Sequence, residues 1–199
     1  LLNKDRKGAR SISKISIQTG TSHGGVPGPD GKVIQVNLDF ECLENLSRIS
    51  RQDYGLAGAV QHGASTLPND LFNKFPELET AEIHLATDFQ NMIYDNEQFP
   101  KDFKEEIYAH LRKKFASDKK EIDTDEQFIY KTRKKGFGEF KSKFWNLSEE
   151  IRTKISAHLQ KKIEHLFTQL KVENTIEITK KTTPLVKIPP ILKREIASA

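Results

Sequence analysis

Three short apolar stretches, at residues 12–18, 56–61 and 81–87, each run directly into a loop of small and polar residues. The first alternates apolar and polar side chains, which predicts a strand, and the other two are typical of buried strands. Stretches with helical periodicity lie between them. This alternation predicts βα repeats and a parallel sheet.

The helical segments are predicted from apolar spacing. After Asp39, apolar residues recur every three positions, as in a helix with one buried face: Phe40, Leu43, Leu46 and Ile49. A turn is expected at 27–31 and a short helix at 69–75. Two longer helices are predicted downstream, with apolar residues at Phe103, Ile107, Leu111 and Phe115, and at Ile151, Ile155, Leu159, Ile163, Leu166 and Leu170.

Ser148, followed by two glutamates, predicts the start of the last long helix. Residues 179–199 contain three prolines and predict an extended or disordered tail. We therefore expect two parts, a βα portion at residues 1–116 and a helical extension with its tail at residues 117–199.

The chain has 199 residues and a formal net charge of +4, with the positive excess in late runs such as 133–135. Acidic residues are interleaved with these runs, which favours solvated helix faces over a nucleic-acid stripe. Nucleic-acid binding through residues 113–162 stays an alternative, but we expect the aromatics there to be core or interface residues: Phe137, Phe140, Phe144 and Trp145.

Cys42 is the single cysteine, so no internal disulfide forms, and a reducing, cytoplasmic location is expected. No apolar run approaches the roughly 20 residues of a membrane helix, so no membrane association is expected.

Three histidines lie at or just beyond the predicted strand ends: His23, His62 and His84. In a βα barrel, this position belongs to the catalytic face. Neutral imidazoles are good zinc ligands, and neighbouring glycines let backbone N–H groups approach a phosphate closely. A loop histidine is more often a surface residue, however, and a glycine-rich turn is often just a turn.

The three loops have the sequences Gly-Thr-Ser-His-Gly-Gly-Val at 20–26, His-Gly-Ala-Ser at 62–65 and His-Leu-Ala-Thr-Asp at 84–88. In order and separation they resemble the loops after the sixth, seventh and eighth strands of class II (metal-dependent) fructose-bisphosphate aldolases and the related tagatose-bisphosphate aldolases. Residues 38–43 resemble the helix start between the sixth and seventh strands. The resemblance covers residues 11–115 and implies the C-terminal part of a TIM (β/α)8 barrel, strands 6–8, with an added helical extension.

The resemblance also implies roles for individual residues. His23 and His62 match two zinc ligands, and a monovalent cation, Na⁺ or K⁺, is often held nearby in this family. His84 stands where the family has an asparagine that contacts the ketone or enediolate. The residues that match the substrate phosphate site are Gly24, Gly63, Ala64, Ser65, His84, Ala86 and Thr87.

The family's acid–base aspartate and a further zinc histidine lie on an earlier strand and have no counterpart here, so no catalytic acid–base residue is expected in this chain. Three strands cannot close a barrel. We expect the missing N-terminal half to come from the same polypeptide or from another chain, and a homo-oligomer to form.

The expected function is zinc-dependent, reversible cleavage of fructose 1,6-bisphosphate, or a related ketose bisphosphate, to dihydroxyacetone phosphate and glyceraldehyde 3-phosphate. The alternative is a non-catalytic, metal-binding, aldolase-like scaffold protein, which the His84 replacement and the basic extension would suit.

Overall fold

The structure is a computed structural model that describes residues 12–22, 24–34 and 37–185. It is largely helical, with a small parallel sheet. The described strands are β1 (Ile15–Ile17), β2 (Val26–Pro27), β3 (Val33–Ile34), β4 (Ala59–Gln61) and β5 (Glu82–Ile83). Strands β1, β4 and β5 form one sheet in that order, with parallel pairing throughout. All three predicted strands are therefore present, each shorter than the apolar stretch that predicted it.

The α-helices within the described ranges are α1 (Phe40–Gln52), α2 (Lys74–Glu77), α3 (Thr87–Tyr94), α4 (Lys101–Lys114), α5 (Asp125–Thr132), α6 (Gly136–Glu139), α7 (Lys141–Trp145), α8 (Glu149–Gln169) and α9 (Ile176–Thr182). The predicted short helix at 69–75 is a 3-10 turn, Asn69–Leu71, followed by α2. Ser148 caps α8 as predicted, because its hydroxyl accepts a hydrogen bond from the Ile151 amide.

Helix α1 begins where Asp39 accepts a hydrogen bond from the Cys42 amide through its side chain. The buried face differs from the predicted one. Leu43 is fully buried, but Leu46 is 38% exposed, and Ser47 and Ser50 are buried instead. The Ser47 hydroxyl donates to the Glu79 carbonyl oxygen at 3.0 Å, which makes burial of this polar group tolerable.

Two apolar clusters form the core. The first joins the sheet to its helices and contains Leu38, Leu43, Ala59, Ala64, Leu67, Phe72, Phe75 and Leu166. The second is mostly helical and contains Tyr94, Phe99, Phe103, Ile107, Leu111, Phe128, Ile129 and Ile155. Because Ile155 and Leu166 both belong to α8, this helix packs against both clusters. Residues on both sides of the predicted boundary at 116/117 thus share a core, and the boundary itself stays a prediction.

Some local predictions were incomplete and others were wrong. The predicted turn at 27–31 is present, but the sequence pattern did not reveal that the flanking strands β2 and β3 pair as an antiparallel hairpin. Residues 179–182 belong to helix α9 rather than to an extended tail, while residues 186–199 lie outside the described residues. Ile163 is 40% exposed and Trp145 is 68% exposed, whereas Phe137, Phe140 and Phe144 pack against the second cluster as expected.

Candidate functional site

The loops that follow β1, β4 and β5 meet at the carboxyl edge of the sheet. Gln61 of β4 is in register with Ile17 of β1 on one side and Ile83 of β5 on the other. The next residues of two strands, His62 and His84, therefore leave the sheet side by side, and their ring centroids lie 4.2 Å apart. The structure thus brings two of the three predicted histidines together.

A buried polar network fixes the edge behind these histidines. The Gln61 side chain is fully buried; its Oε1 accepts from the Thr19 hydroxyl at 2.8 Å, and its Nε2 donates to the Thr21 hydroxyl oxygen at 3.0 Å. The Thr21 hydroxyl donates to the His62 carbonyl oxygen at 2.8 Å. The loop after β1 is thereby tied to the loop after β4. No pattern in the sequence indicated this network, because its partners lie 40–42 positions apart.

Gly63 lets the same two loops approach closely. Its φ is +71°, and a Cβ placed there would lie 2.9 Å from the Thr21 hydroxyl oxygen and 3.1 Å from the Ser22 carbonyl oxygen. A side chain at this position would meet both backbone strain and neighbouring atoms. Glycine is therefore required by the geometry of the loop junction.

The predicted phosphate-site residues lie around this junction. The buried Ser65 hydroxyl accepts a hydrogen bond from the Ala86 amide at 2.7 Å, which joins the loop after β4 to the start of α3. A Cβ on Gly24 would lie 3.8 Å from the Thr87 hydroxyl oxygen, so the loop after β1 also reaches that helix start. Ala64 differs from the others because its methyl group is fully buried in the first cluster.

His84 hydrogen-bonds to a carboxylate of β5, the strand that it follows. Its Nε2 hydrogen-bonds to the Glu82 carboxylate, which also pairs with Lys14. These hydrogen bonds, from Lys14 first and His84 second, hold the pKa of the Glu82 carboxyl below its ordinary value. Because a carboxylate oxygen accepts, Nε2 of His84 is the donor in this hydrogen bond.

The predicted metal ligands are placed only in part. His62 lies at the junction, and His23 lies outside the described residues. Within the described ranges, no group of three or more His, Cys, Asp and Glu side chains is arranged to hold a metal ion. A zinc centre at this edge would therefore need donors beyond His62 and His84.

The helical extension contacts both the loop after β1 and the β2–β3 hairpin that follows it. The Tyr130 hydroxyl donates to the Gly24 carbonyl oxygen at 2.8 Å. The Gln127 side-chain amide donates to the Pro27 carbonyl oxygen at 2.9 Å, and the Thr124 hydroxyl donates to the Pro29 carbonyl oxygen at 2.7 Å. These contacts join residues about 100 positions apart, and no pattern in the sequence indicated them.

No family model and no curated protein sequence matches this chain. Separately, none of the helices in the described part of the chain has the length and apolarity needed to cross a bilayer.

Proposed function

We propose that this chain forms strands 6–8 of a class II ketose-bisphosphate aldolase barrel, with a helical extension, and takes part in zinc-dependent, reversible cleavage of fructose 1,6-bisphosphate or a related ketose bisphosphate. The products would be dihydroxyacetone phosphate and glyceraldehyde 3-phosphate.

The convergence of the three loops is the observation that carries this proposal. The three strands of the parallel sheet lie in their chain order, β1-β4-β5, as strands of a βα barrel do. The motifs that resemble the aldolase loops all follow these strands at one edge. The Thr21 hydroxyl joins the first loop to the His62 carbonyl oxygen of the second, and the Ser65 hydroxyl joins the second loop to the Ala86 amide of the third. Gly24 and Thr87 line one cavity between the first loop and the third.

The donor chemistry at this edge also suits zinc. His62 and His23 are the proposed ligands, and further donors would come from the half of the barrel outside this chain. A zinc ion with an open position would act as a Lewis acid on the substrate ketone. The Glu82–His84 hydrogen bond orients the His84 ring, which we propose contacts the enediolate oxygen in place of the family's asparagine.

The same edge can hold a substrate phosphate. Ser65 accepts from the Ala86 amide, so its own hydroxyl hydrogen is available to a phosphate oxygen. The start of helix α3 at Thr87 presents backbone N–H groups and the positive end of the helix dipole. These groups would bind and orient the substrate, while acid–base transfer falls to a carboxylate outside this chain.

The two edge strands of the sheet could pair with further strands of a barrel. Ile17, Ala59 and Ile83 belong to or pack against the first cluster, while Lys14 and Glu82 lie half-exposed on the other face. Within the described residues, β1 and β5 pair with β4 alone, so each has an unpaired edge. We propose that the remaining strands pair with these edges, and that the complete enzyme is a homo-oligomer.

A coupled assay for triose phosphate release by the complete enzyme tests the function. We expect fructose 1,6-bisphosphate to be cleaved, a chelator to abolish the activity, and zinc to restore it. His62→Ala should lose both zinc and turnover, whereas His158→Ala, which alters an exposed histidine on α8, should retain both. Turnover that survives complete removal of the metal would reject the proposal.

The second candidate is a metal-binding scaffold that does not turn over substrate. His84 favours it, because an imidazole engaged by Glu82 replaces the asparagine expected from the family motif. Zinc bound at His62 without any triose phosphate release would establish this alternative.

A further inference from the structure

We propose that Lys134 and Arg133 of the helical extension complete an oxyanion pocket with Gly24, Gly25 and Thr87. The inference rests on the proposed function for the identity of the anion as a substrate phosphate. Its physical basis lies in residues that the loop motifs do not include.

A cavity of about 100 Å³ lies between the loop after β1, the start of α3 and the segment that follows α5. Its walls include Gly24, Gly25, Thr87, Lys131, Arg133 and Lys134. This volume has room for a few waters or one tetrahedral oxyanion. The cavity therefore adjoins the proposed phosphate site on the side that the extension covers.

The loops alone supply no cation for a phosphate. None of the residues that match the family's phosphate site is a lysine or an arginine. Three cationic side chains line the cavity, and two of them already face carboxylates: Lys131 pairs with Asp123 at 2.6 Å, and Arg133 pairs with Asp95 at 2.8 Å. Lys134 has no acidic partner within the described part of the chain, so it carries the uncompensated charge.

The one carboxylate in the first turn of α3, Asp88, is neutralised by a lysine of α8. Asp88 forms an ion pair with Lys162 of α8 at 2.8 Å, and the Lys162 side chain is 12% exposed. An anion at the start of α3 therefore does not face an unpaired carboxylate at Asp88, and the positive end of the helix dipole is preserved.

Arg133 adds a second, rigidly held cation to the wall of the cavity. The residue is 8% exposed, and its terminal nitrogens bond to Asp95 and Asn91. The guanidinium also lies over the Tyr130 ring at 5.0 Å, so it is held in place at the cavity wall. An oxyanion in the cavity would adjoin this charged group, and hydrogen bonds to charged donors are the stronger ones.

Inorganic phosphate is the probe for this pocket. We expect calorimetric titration of the complete protein, without zinc or sugar, to show phosphate binding that Lys134→Gln weakens about tenfold through loss of one charge-assisted contact. Lys113→Gln is the matched control, because it removes the same charge from an exposed site at the end of α4. Thermal melts should show that both variants stay folded, as expected for exposed lysines.

Two results would overturn the inference: no phosphate binding by the unaltered protein, or equal weakening by the two variants. The outcome is separable from the aldolase proposal. Weakening by Lys134→Gln alone, in a protein that cleaves no sugar bisphosphate, supports the pocket and rejects the enzyme. Normal cleavage with unchanged phosphate affinity and KM in Lys134→Gln rejects the pocket and leaves the enzyme.

Discussion

The Tyr130 hydroxyl hydrogen-bonds to the Gly24 carbonyl oxygen across 106 positions of sequence. Tyr130 lies in α5, and Gly24 lies in the loop that carries the first predicted zinc ligand. The Tyr130 hydroxyl also accepts from the Asn91 side chain at 3.2 Å, and Asn91 in turn accepts from Arg133 at 2.6 Å. The extension therefore fixes the backbone of the site loop through a chain of side-chain hydrogen bonds.

Tyr130→Phe removes this hydroxyl and keeps the ring, over which the Arg133 guanidinium lies at 5.0 Å. We expect a loss of about 1 kcal/mol in the free energy of unfolding, because two neighbours lose their partner. Phosphate affinity should fall as the loop loosens. Urea denaturation measures the first effect and titration the second. Tyr54→Phe is the control, since Tyr54 is 51% exposed. Equal effects in the two variants would show that the Tyr130 hydroxyl does not stabilise the loop that contains Gly24.

Gly63→Ala should destabilise the protein by about 2–3 kcal/mol, because the left-handed backbone strain adds to the contact with Thr21. Gly55 provides the matched comparison: its φ is +64°, but no atom lies within 4 Å of a Cβ placed there. Gly55→Ala should therefore cost about 1 kcal/mol from strain alone. Denaturant midpoints of the two variants give the difference, and a Gly63→Ala variant no less stable than Gly55→Ala would show that the loops can separate freely.

Gly136→Ala tests the packing of the second cluster. A Cβ there would lie 2.6 Å from the Tyr94 hydroxyl oxygen and 2.7 Å from Ile107 Cγ2, so we expect a loss of about 1–3 kcal/mol from overpacking. Gly138 lies two residues later in α6, and nothing stands within 4 Å of a Cβ added there. Gly138→Ala should be neutral or stabilising by up to about 1 kcal/mol through helix propensity. If Gly136→Ala and Gly138→Ala shift the melting temperature in the same direction, the close packing described around Gly136 is refuted.

Tyr94 should make the protein less stable in alkali. Burial raises the pKa of the Tyr94 hydroxyl far above its ordinary value of 10.0. Above that ordinary value, the unfolded chain loses the proton while the folded protein keeps it, so the free energy of unfolding falls as pH rises. Below it, both states are protonated and this contribution does not change with pH.

The measurement is the urea midpoint between pH 8 and 11, compared with Tyr94→Phe. That variant loses the hydrogen bond to the Arg133 carbonyl oxygen, 2.8 Å long, and is less stable at neutral pH. Its stability should decline less steeply with alkali than that of the unaltered protein. Parallel declines would show that Tyr94 does not contribute to the pH dependence.

The elements that the sequence predicted correctly have strong local signals. The three strands end in small-residue loops, α1 has its Asp39 cap, and α4 and α8 have regular apolar spacing. The errors arose where local spacing was ambiguous. Leu46 and Ser47 are adjacent on α1, and a slight rotation of the helix decides which is buried. Strands β2 and β3 have two residues each, too few to show a period.

The candidate site divides in the same way. The proximity of His62 and His84 could be predicted, because each lies just beyond the end of a strand in the same sheet. The network around Gln61 and the bracing contacts of Tyr130 could not, because these partners are brought together by the fold and have no fixed separation in the sequence. The sequence motifs therefore predict that the loops converge. They do not predict which side chains hold the loops together.

Helix α8 contributes Leu166 to the cluster beneath the sheet, although it is the last long helix of the described chain. Synthesis on the ribosome proceeds from the N-terminal side, so the histidine loops emerge well before this residue. Until then, the apolar floor of the sheet lacks one of its covering side chains. The cluster beneath the sheet is therefore completed only after most of α8 has been synthesised.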